Sequence, residues 1–484
     1  MLKKTWQPSA VQKQKLQPLS KQRILILGAG REGLATYLFL REVFPQLKLM
    51  VADCCSQKKL SADWQQYFAH DPYLTGSFGK HYLNCLPQIT YIFKTPGIPP
   101  TLVPLQNFSK NGGIISSGTA WFFKLAKGKI IGVTGTKGKS TTASLIASVL
   151  NMSGKHTLLL GNIGVAALPL VKQTTSKTIS VMELSAHQLQ DLKVSPHISV
   201  VQNITSEHLD YYPNTAAYVS AKSSIARYQK KTDYLIYADE FKNSRAFAQL
   251  SAAKKLCYGI QDTPDHIAFA SKTAIFYRPS GRPPIAMVKR RQLKLLGKHN
   301  LYNIMPAIII GKHFGLSDEL IARALSTFTP LRHRLELAGS YQGVTYINDS
   351  LSTTPQATIA ALKIFASQPI HLLAGGFERQ QNFTALAQQI LKQKIKSIIV
   401  FPPTGKRLKQ TIINQAIAQK TLTGDFYSVT TMSQAMQLVK RLAVKGDLVL
   451  LSPAAASFGS FKDYADRGDQ FCQAVANLGV SRKK

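Results

Sequence analysis

The sequence predicts an α/β protein of three consecutive domains: an N-terminal Rossmann-like domain, a central P-loop domain with a parallel sheet, and a C-terminal Rossmann-like α/β domain. Three observations carry this reading. An apolar run passes through a glycine-rich turn into a helical stretch at 23–44, and again, with different glycine spacing, at 129–150. From Val344 onward, short apolar runs alternate with amphipathic stretches without a break. At 484 residues the chain is also long for a single core, and about three domains is the expected number. The expected divisions are a basic arm (1–22) and domains 23–127, 128–331 and 332–484.

The arm lacks the hydrophobic core of a secretory signal, so a frayed segment is expected. Strand Arg23–Leu27 then leads into Gly28-Ala-Gly-Arg-Glu-Gly33 and a helix to about Phe44, and a strand at Lys48–Val51 ends at Asp53. GxGxxG with an acid about twenty positions on marks a nucleotide-binding βαβ unit. It is weak evidence for NAD: Glu32 would repel a pyrophosphate that Arg31 would attract, so a different nucleotide fits. Cys54 and Cys55 read as packing residues. Strands Ile89–Phe93 and Gly113–Ser116 continue the domain, and Thr95-Pro-Gly-Ile98 is a turn able to offer backbone to a ligand.

The central domain opens on Ile131–Ala143, IGVTGTKGKSTTA. Gly132, Gly135 and Gly138 leave backbone N–H groups free to surround an anion, Lys139 adds a charge, and Ser140 offers a hydroxyl to a metal at a helix N-terminus. The first glycine lies one residue farther from Gly138 than the commonest P-loop spelling requires, but strand, GKST and helix follow in the right order for binding a nucleoside triphosphate. Strands at His156–Leu160, Thr178–Met182 and Ile198–Asn203 end in polar groups: GNIG (161–164), Glu183-Leu-Ser185 and 203–210. Ligands bind at such strand ends, and Glu183 suits Mg²⁺. Taken alone, His208 reads as an ordinary surface histidine and Lys222 as a helix lysine facing solvent. Asn300 and Asn303 share one helix face.

Beyond Thr329–Arg332 the predicted strands are Val344–Ile347, Ile370–Ala374, Ser397–Phe401, Asp425–Val429 and Leu448–Leu451. Helices at Pro355–Phe365, Phe383–Leu391, about Gly405–Gln419, Met432–Leu442 and about Gly459–Leu478 intervene or follow. Asp349 and Ser457 follow the first and last of these strands, placing both at one crevice.

Composition narrows the function. No apolar run approaches the roughly 18 residues of a membrane span, so a soluble, cytoplasmic protein with no membrane partner is expected. Five cysteines without a CxxC pair fit a reducing compartment and argue against zinc or disulfides. The net charge of +36 raises nucleic acid as a partner, but the lysines are dispersed and no reader motif is present. Steering of anionic small substrates accounts for the charge equally well, and no nucleic-acid partner is expected.

The order of motifs resembles the Mur ligases, in particular the branch that adds glutamate to UDP-N-acetylmuramoyl-L-alanine. The resemblance runs from Gly28 to about Phe471 and rests on GTKGKSTT (135–142), GNIG (161–164), ELSAHQL (183–189), NITSEHLD (203–210), GKHNLYN (297–303), RHRLE (332–336), NDSLSTTP (348–355) and LSPAAASF (451–458). It implies an N-terminal UDP-binding domain, a central ATPase and a C-terminal amino-acid-binding lid, working as a cytoplasmic monomer of peptidoglycan precursor synthesis. By that resemblance Gly135, Thr136, Lys137, Gly138, Lys139, Ser140, Thr141, Asn300, Asn303, Arg334 and Asp349 bind ATP. Two Mg²⁺ sites draw on Ser140, Glu183, His208 and a carbamylated Lys222, and Lys139, His208, Lys222 and Arg334 serve catalysis. Arg31, Glu32, Asp53, Gly97, Asn162 and Ser185 contact the UDP-substrate.

Departures from the family pattern fall where the amino acid binds. Leu351 follows Asn-Asp-Ser where a lysine is familiar, and Arg379 of GGFER (375–379) stands in for another. Arg379 could grip a glutamate side chain bidentately, with Thr353, Ser457 and Tyr464 completing the site. A branch that adds L-glutamate shares several of these motifs, so D- and L-glutamate both stay open. A folylpolyglutamate synthetase-like ligase leaves the N-terminal nucleotide domain unexplained. A dinucleotide oxidoreductase leaves the P-loop unexplained.

Overall fold

The computed structural model describes residues 6–163, 165–205, 207, 211–295, 297–329, 332–420, 424–457 and 459–479. His208, assigned above to metal and catalysis, lies outside them. The chain forms two compact units, 1–293 with 298–328, and 294–297 with 329–484.

The first unit holds two sheets. The N-terminal one is wholly parallel, with strands β1 (Ile24–Leu27), β2 (Leu49–Asp53), β3 (Leu74–Phe78), β4 (Tyr91–Lys94) and β5 (Ile114–Ser116) in the order β3-β2-β1-β4-β5. The order reverses between β1 and β4, so the turns after Leu27 and Lys94 flank the crevice where such sheets bind ligands. The central sheet comprises β6 (Lys129–Thr134), β7 (Thr157–Gly161), β8 (Ile179–Glu183), β9 (Ile198–Val201), β10 (Tyr234–Ala238), β11 (Lys254–Tyr258), β12 (Ala268–Ala270), β13 (Ala274–Tyr277) and β14 (Ile285–Lys289). Its order is β14-β13-β12-β11-β10-β9-β6-β8-β7, parallel except for the β12–β13–β14 meander at one edge. β6 is buried on both faces from Ile130 onward, as a central parallel strand requires.

The predicted frayed arm is instead docked on the first domain through its described residues. Helix Ala10–Leu16 opens on a Ser9–Gln12 capping box, Leu16 and Leu19 are buried, and Gln12 donates to the Leu125 carbonyl at 2.9 Å. Two leucines among the lysines suffice to dock it. The pair Cys54–Cys55 is exposed, not packed. The turn following β2 leaves the core as soon as Asp53 ends the strand.

The second unit is one sheet, β15 (Glu336–Tyr341), β16 (Val344–Asn348), β17 (Ile370–Gly375), β18 (Ile395–Phe401), β19 (Asp425–Ser428) and β20 (Leu448–Leu451), in the order β15-β16-β20-β17-β18-β19. Only β15 is antiparallel. Strand periodicity divides its core: Ile347, Leu372, Ile398 and Leu450 pack on one face, and Tyr346, Leu373, Ile399 and Leu451 on the other. The final helix begins at Tyr464, five residues later than predicted, where Asp463 caps it through the Asp466 N–H. Among the described residues, no helix is long and apolar enough to cross a membrane.

Candidate active site

β6 runs directly into the glycine loop. Helix Lys139–Met152 starts four residues earlier than Ala143, so Lys139 and Ser140 occupy its first turn. Gly138 caps that helix at φ 88°, and a Cβ there would stand 2.3 Å from Asn303 Oδ1. At Gly135 a Cβ would meet that of Gln202 at 2.6 Å. Both glycines are thus required by close approach as well as by backbone angle. Lys139 Nζ folds back over the loop and donates to the Thr136 carbonyl at 3.0 Å. The Thr136 N–H bonds Asn203 O at 2.8 Å, and its hydroxyl donates to Thr205 O at 3.0 Å, fixing the loop to the segment after β9. Lys137 is exposed and pairs with Glu207 at 2.7 Å. Asn303 donates to Asn300 at 2.7 Å and accepts from Thr142, joining that helix to the loop.

Glu183 ends β8 with 2% exposure. One of its carboxylate oxygens accepts from Asn162 Nδ2 at 3.0 Å, while Oε2 has no hydrogen-bond partner among the described residues, nor does the buried Thr141 hydroxyl. A buried carboxylate oxygen without a donor among the described residues fits a hard cation, and Ser140, in the first turn of the helix that follows the adjacent strand β6, is a second oxygen donor of the kind Mg²⁺ takes. Lys222, read alone as solvent-facing, is 1% exposed. Its Nζ lies 3.1 Å from Gly135 O and 3.4 Å from Thr134 Oγ1, over the Tyr218 ring. Burial, reinforced by the Lys139 charge, holds its ammonium well below the usual lysine range.

At the N-terminal crevice, Asp53 accepts from the Ala29 N–H at 2.7 Å and the Cys55 N–H at 2.9 Å, closing the first glycine turn. Gly28, at φ 101°, packs so tightly on Thr95 that a Cβ would meet its hydroxyl at 2.0 Å. Arg31 is exposed, and Gly97 has open space around it. Glu32 is half-buried and accepts from Gln188 Nε2 at 2.7 Å; burial raises its carboxyl above the ordinary range against that bond. Ser185 caps the short helix Ala186–Leu189 in a capping box with the same Gln188.

In the second unit, Asp349 follows β16 and accepts from the Leu335 N–H at 3.2 Å and from Ser452 Oγ at 2.8 Å. Burial lifts its carboxyl to about 6, opposed by bonds from Ser352 and Ser452 and by the Arg334 charge. Thr353, Arg379 and Ser457 lie on the loops after β16, β17 and β20, and Tyr464 begins the last helix. The four therefore share the C-terminal edge of one sheet.

Family models describe the same segments: a Mur ligase middle domain matches residues 133–311, and the Mur ligase glutamate ligase domain matches 333–455. Two relatives named UDP-N-acetylmuramoylalanine–D-glutamate ligase extend the match to nearly the full length. That of Symbiobacterium thermophilum is 31% identical over 95% of this chain and 98% of its own, and that of Geobacillus kaustophilus 32% identical over 94% and 98%. The chain belongs to the Mur ligase family. Solved Mur ligases share the fold at lower identity. The MurF of Acinetobacter baumannii has a TM-score of 0.62 at 14% identity, covering 98% of this chain and 100% of its own, and the Thermotoga maritima MurC has 0.59 at 17%, covering 94% and 99%.

This Mur ligase also carries a buried cation that belongs to none of the motifs. Arg467 is completely buried, and its guanidinium donates to Ser350 Oγ and O and to the carbonyls of Ala455 and Ala456, at 2.9–3.4 Å. Burial lowers it to about 9. It ties the loops after β16 and β20 together beneath Thr353 and Ser457. Its signal is an arginine in register with Phe471 and Val475, on the face of the last helix where spacing by four calls for an apolar residue.

Proposed function

We propose that this Mur ligase is an ATP-dependent ligase that adds D-glutamate to UDP-N-acetylmuramoyl-L-alanine in peptidoglycan precursor synthesis. The observation that carries the reading is the glycine cradle under Lys139, with, at the end of the adjacent strand β8, a buried Glu183 oxygen that has no donor among the described residues. The name shared by relatives about 30% identical over nearly the whole chain supports the choice of acceptor and amino acid. The division into domains 23–127, 128–331 and 332–484 behind the 1–22 arm is part of this reading.

Gly135–Thr141 hold the phosphates of ATP, with Asn300, Asn303, Arg334 and Asp349 as further ATP contacts. Ser140 and Glu183 would hold Mg²⁺, with His208 and the carbamate of Lys222 as further ligands; the ion neutralises phosphate charge when bound. The Lys222 carbamate forms when the neutral amine attacks CO₂ and loses a proton, which suits an amine that burial keeps uncharged. Arg31, Glu32, Asp53, Gly97, Asn162 and Ser185 line the site for the UDP-substrate. Its alanyl carboxylate attacks the γ-phosphorus, ADP departs, and an acyl phosphate remains. The free amine of D-glutamate then adds to the acyl carbon, and the tetrahedral adduct expels phosphate. Lys139 and Arg334 offset the charge that builds during transfer. Thr353, Arg379, Ser457 and Tyr464 orient the glutamate, Arg379 through its side-chain carboxylate.

The test uses substrate labelled with ¹⁸O in the alanyl carboxylate. One ¹⁸O per released phosphate, together with the UDP-muramoyl dipeptide by mass, is expected. Unlabelled phosphate, or no dipeptide, would overturn the reading.

A further inference from the structure

Eight residues beyond Glu183 the chain reaches Asp191, and in that span it touches both walls of the N-terminal crevice. Gln188 donates to Glu32, at the start of the helix after the first glycine turn, at 2.7 Å. Gln190 donates to the Tyr211 hydroxyl at 2.8 Å, which itself donates to Pro96 O, inside the second turn, at 3.3 Å. Asp191 pairs with Lys94 Nζ at 2.7 Å.

Lys94 is the last residue of β4 and is 2% exposed. Its ammonium also donates to Ile98 O at 2.8 Å and approaches Thr95 O at 3.5 Å, so it sits inside the Thr95–Ile98 turn. Gly28 packs against the same turn through Thr95. A buried ion pair is a costly way to gain stability alone, since desolvation of both charges opposes their attraction. Here the ammonium shapes a turn at the switch point of the sheet, and the carboxylate that fixes it belongs to the segment that carries Glu183.

We propose that Lys94 and Asp191 are positioning residues for the uridine nucleotide, holding the Thr95–Ile98 turn in its binding shape and anchoring it to the strand end that bears Glu183. The inference rests on the assignment of this crevice to UDP. Gln188 and Glu32 form a parallel tie on the first turn, so one segment registers both turns against the phosphate cradle.

Full-length wild type, Asp191→Asn, Lys94→Met and the double variant K94M/D191N are compared by calorimetric titration with UDP and by thermal unfolding. Lys94→Met leaves the half-buried Asp191 without its partner and lowers Tm, and the double variant recovers Tm because neither charge remains. UDP affinity does not recover with it. The double variant stays about tenfold or more weaker than wild type, because the ammonium's bonds to the turn are lost. Asp191→Asn, which is isosteric and still able to accept from Lys94, weakens UDP binding severalfold and serves if the double variant does not fold. UDP affinity equal to wild type in the folded variants would overturn the inference while leaving the UDP site in place. No UDP binding by wild type would overturn the site assignment and the inference with it.

Discussion

Asp349 shows what burial does to a single carboxyl group at the end of a sheet. Its pKa rises from 3.8 to about 6, with desolvation the largest cause and Ser352, Ser452 and Arg334 opposing it. The folded chain therefore binds this proton more tightly than the unfolded chain does. The stability it contributes is full below about pH 4 and is lost as pH rises through about 6. Asp349→Asn abolishes that titration. Between pH 4 and 7 the wild type is expected to lose about 2 kcal/mol relative to the variant in nucleotide-free chemical denaturation. Identical pH dependence in the two proteins would contradict the burial account. At this scale the sequence was informative where chemistry dictates residue type: Lys139, Ser140 and Glu183 stand out because a phosphate cradle and its cation demand them. Lys222 does not, since a helix lysine ordinarily faces water and it is the fold that brings the Thr134 hydroxyl and the Gly135 carbonyl onto its ammonium. Arg467 is marked in the sequence only by its place on the apolar face of the last helix, and its partners on the loops after β16 and β20 come together in the fold.

The glycine loop between β6 and helix Lys139–Met152 is an element whose geometry leaves one choice of residue. Gly138→Ala forces a left-handed backbone at φ 88° and drives a methyl group to 2.3 Å from Asn303 Oδ1. The backbone alone costs about 1–2 kcal/mol. Displacement of Asn303 should also weaken ATP binding by at least tenfold, read by nucleotide titration; wild-type affinity would show that the loop does not need this glycine. Strands such as β1, β6, β8, β17 and β20 were legible because both faces are buried and their apolar runs are continuous. Those missed have a physical reason. β3 (LTGSF) carries a glycine and two exposed positions at a sheet edge, and β15 (ELAGSY) is an antiparallel edge with a bulge near Gly339. β10 is a short apolar run that periodicity cannot tell from a buried helix turn, and β11 opens on two exposed lysines. The docked N-terminal helix has no clear apolar face in the sequence, because Leu16 in it and Leu19 just beyond it sit among charged and amide residues.

Across the whole molecule, each of the three sheets gathers its candidate ligands at the C-terminal ends of its strands: Gly28, Asp53 and Gly97 on the first, Gly135–Ser140 and Glu183 on the second, Asp349 and Ser457 on the third. That placement is general for open α/β sheets, so chain order alone, through the succession of motifs, located most of these groups. The net charge of +36 suits a protein whose proposed substrates are ATP, a uridine diphosphate sugar and glutamate, all anionic. Family membership and the cradle geometry converge on one reaction, and its amino acid is the point at which the account is most exposed. Phosphate release from ATP is therefore measured with UDP-N-acetylmuramoyl-L-alanine and either D- or L-glutamate. Release that depends on the UDP-substrate and on D-glutamate is expected, with L-glutamate at background; release with L-glutamate alone, or with neither, overturns the assignment.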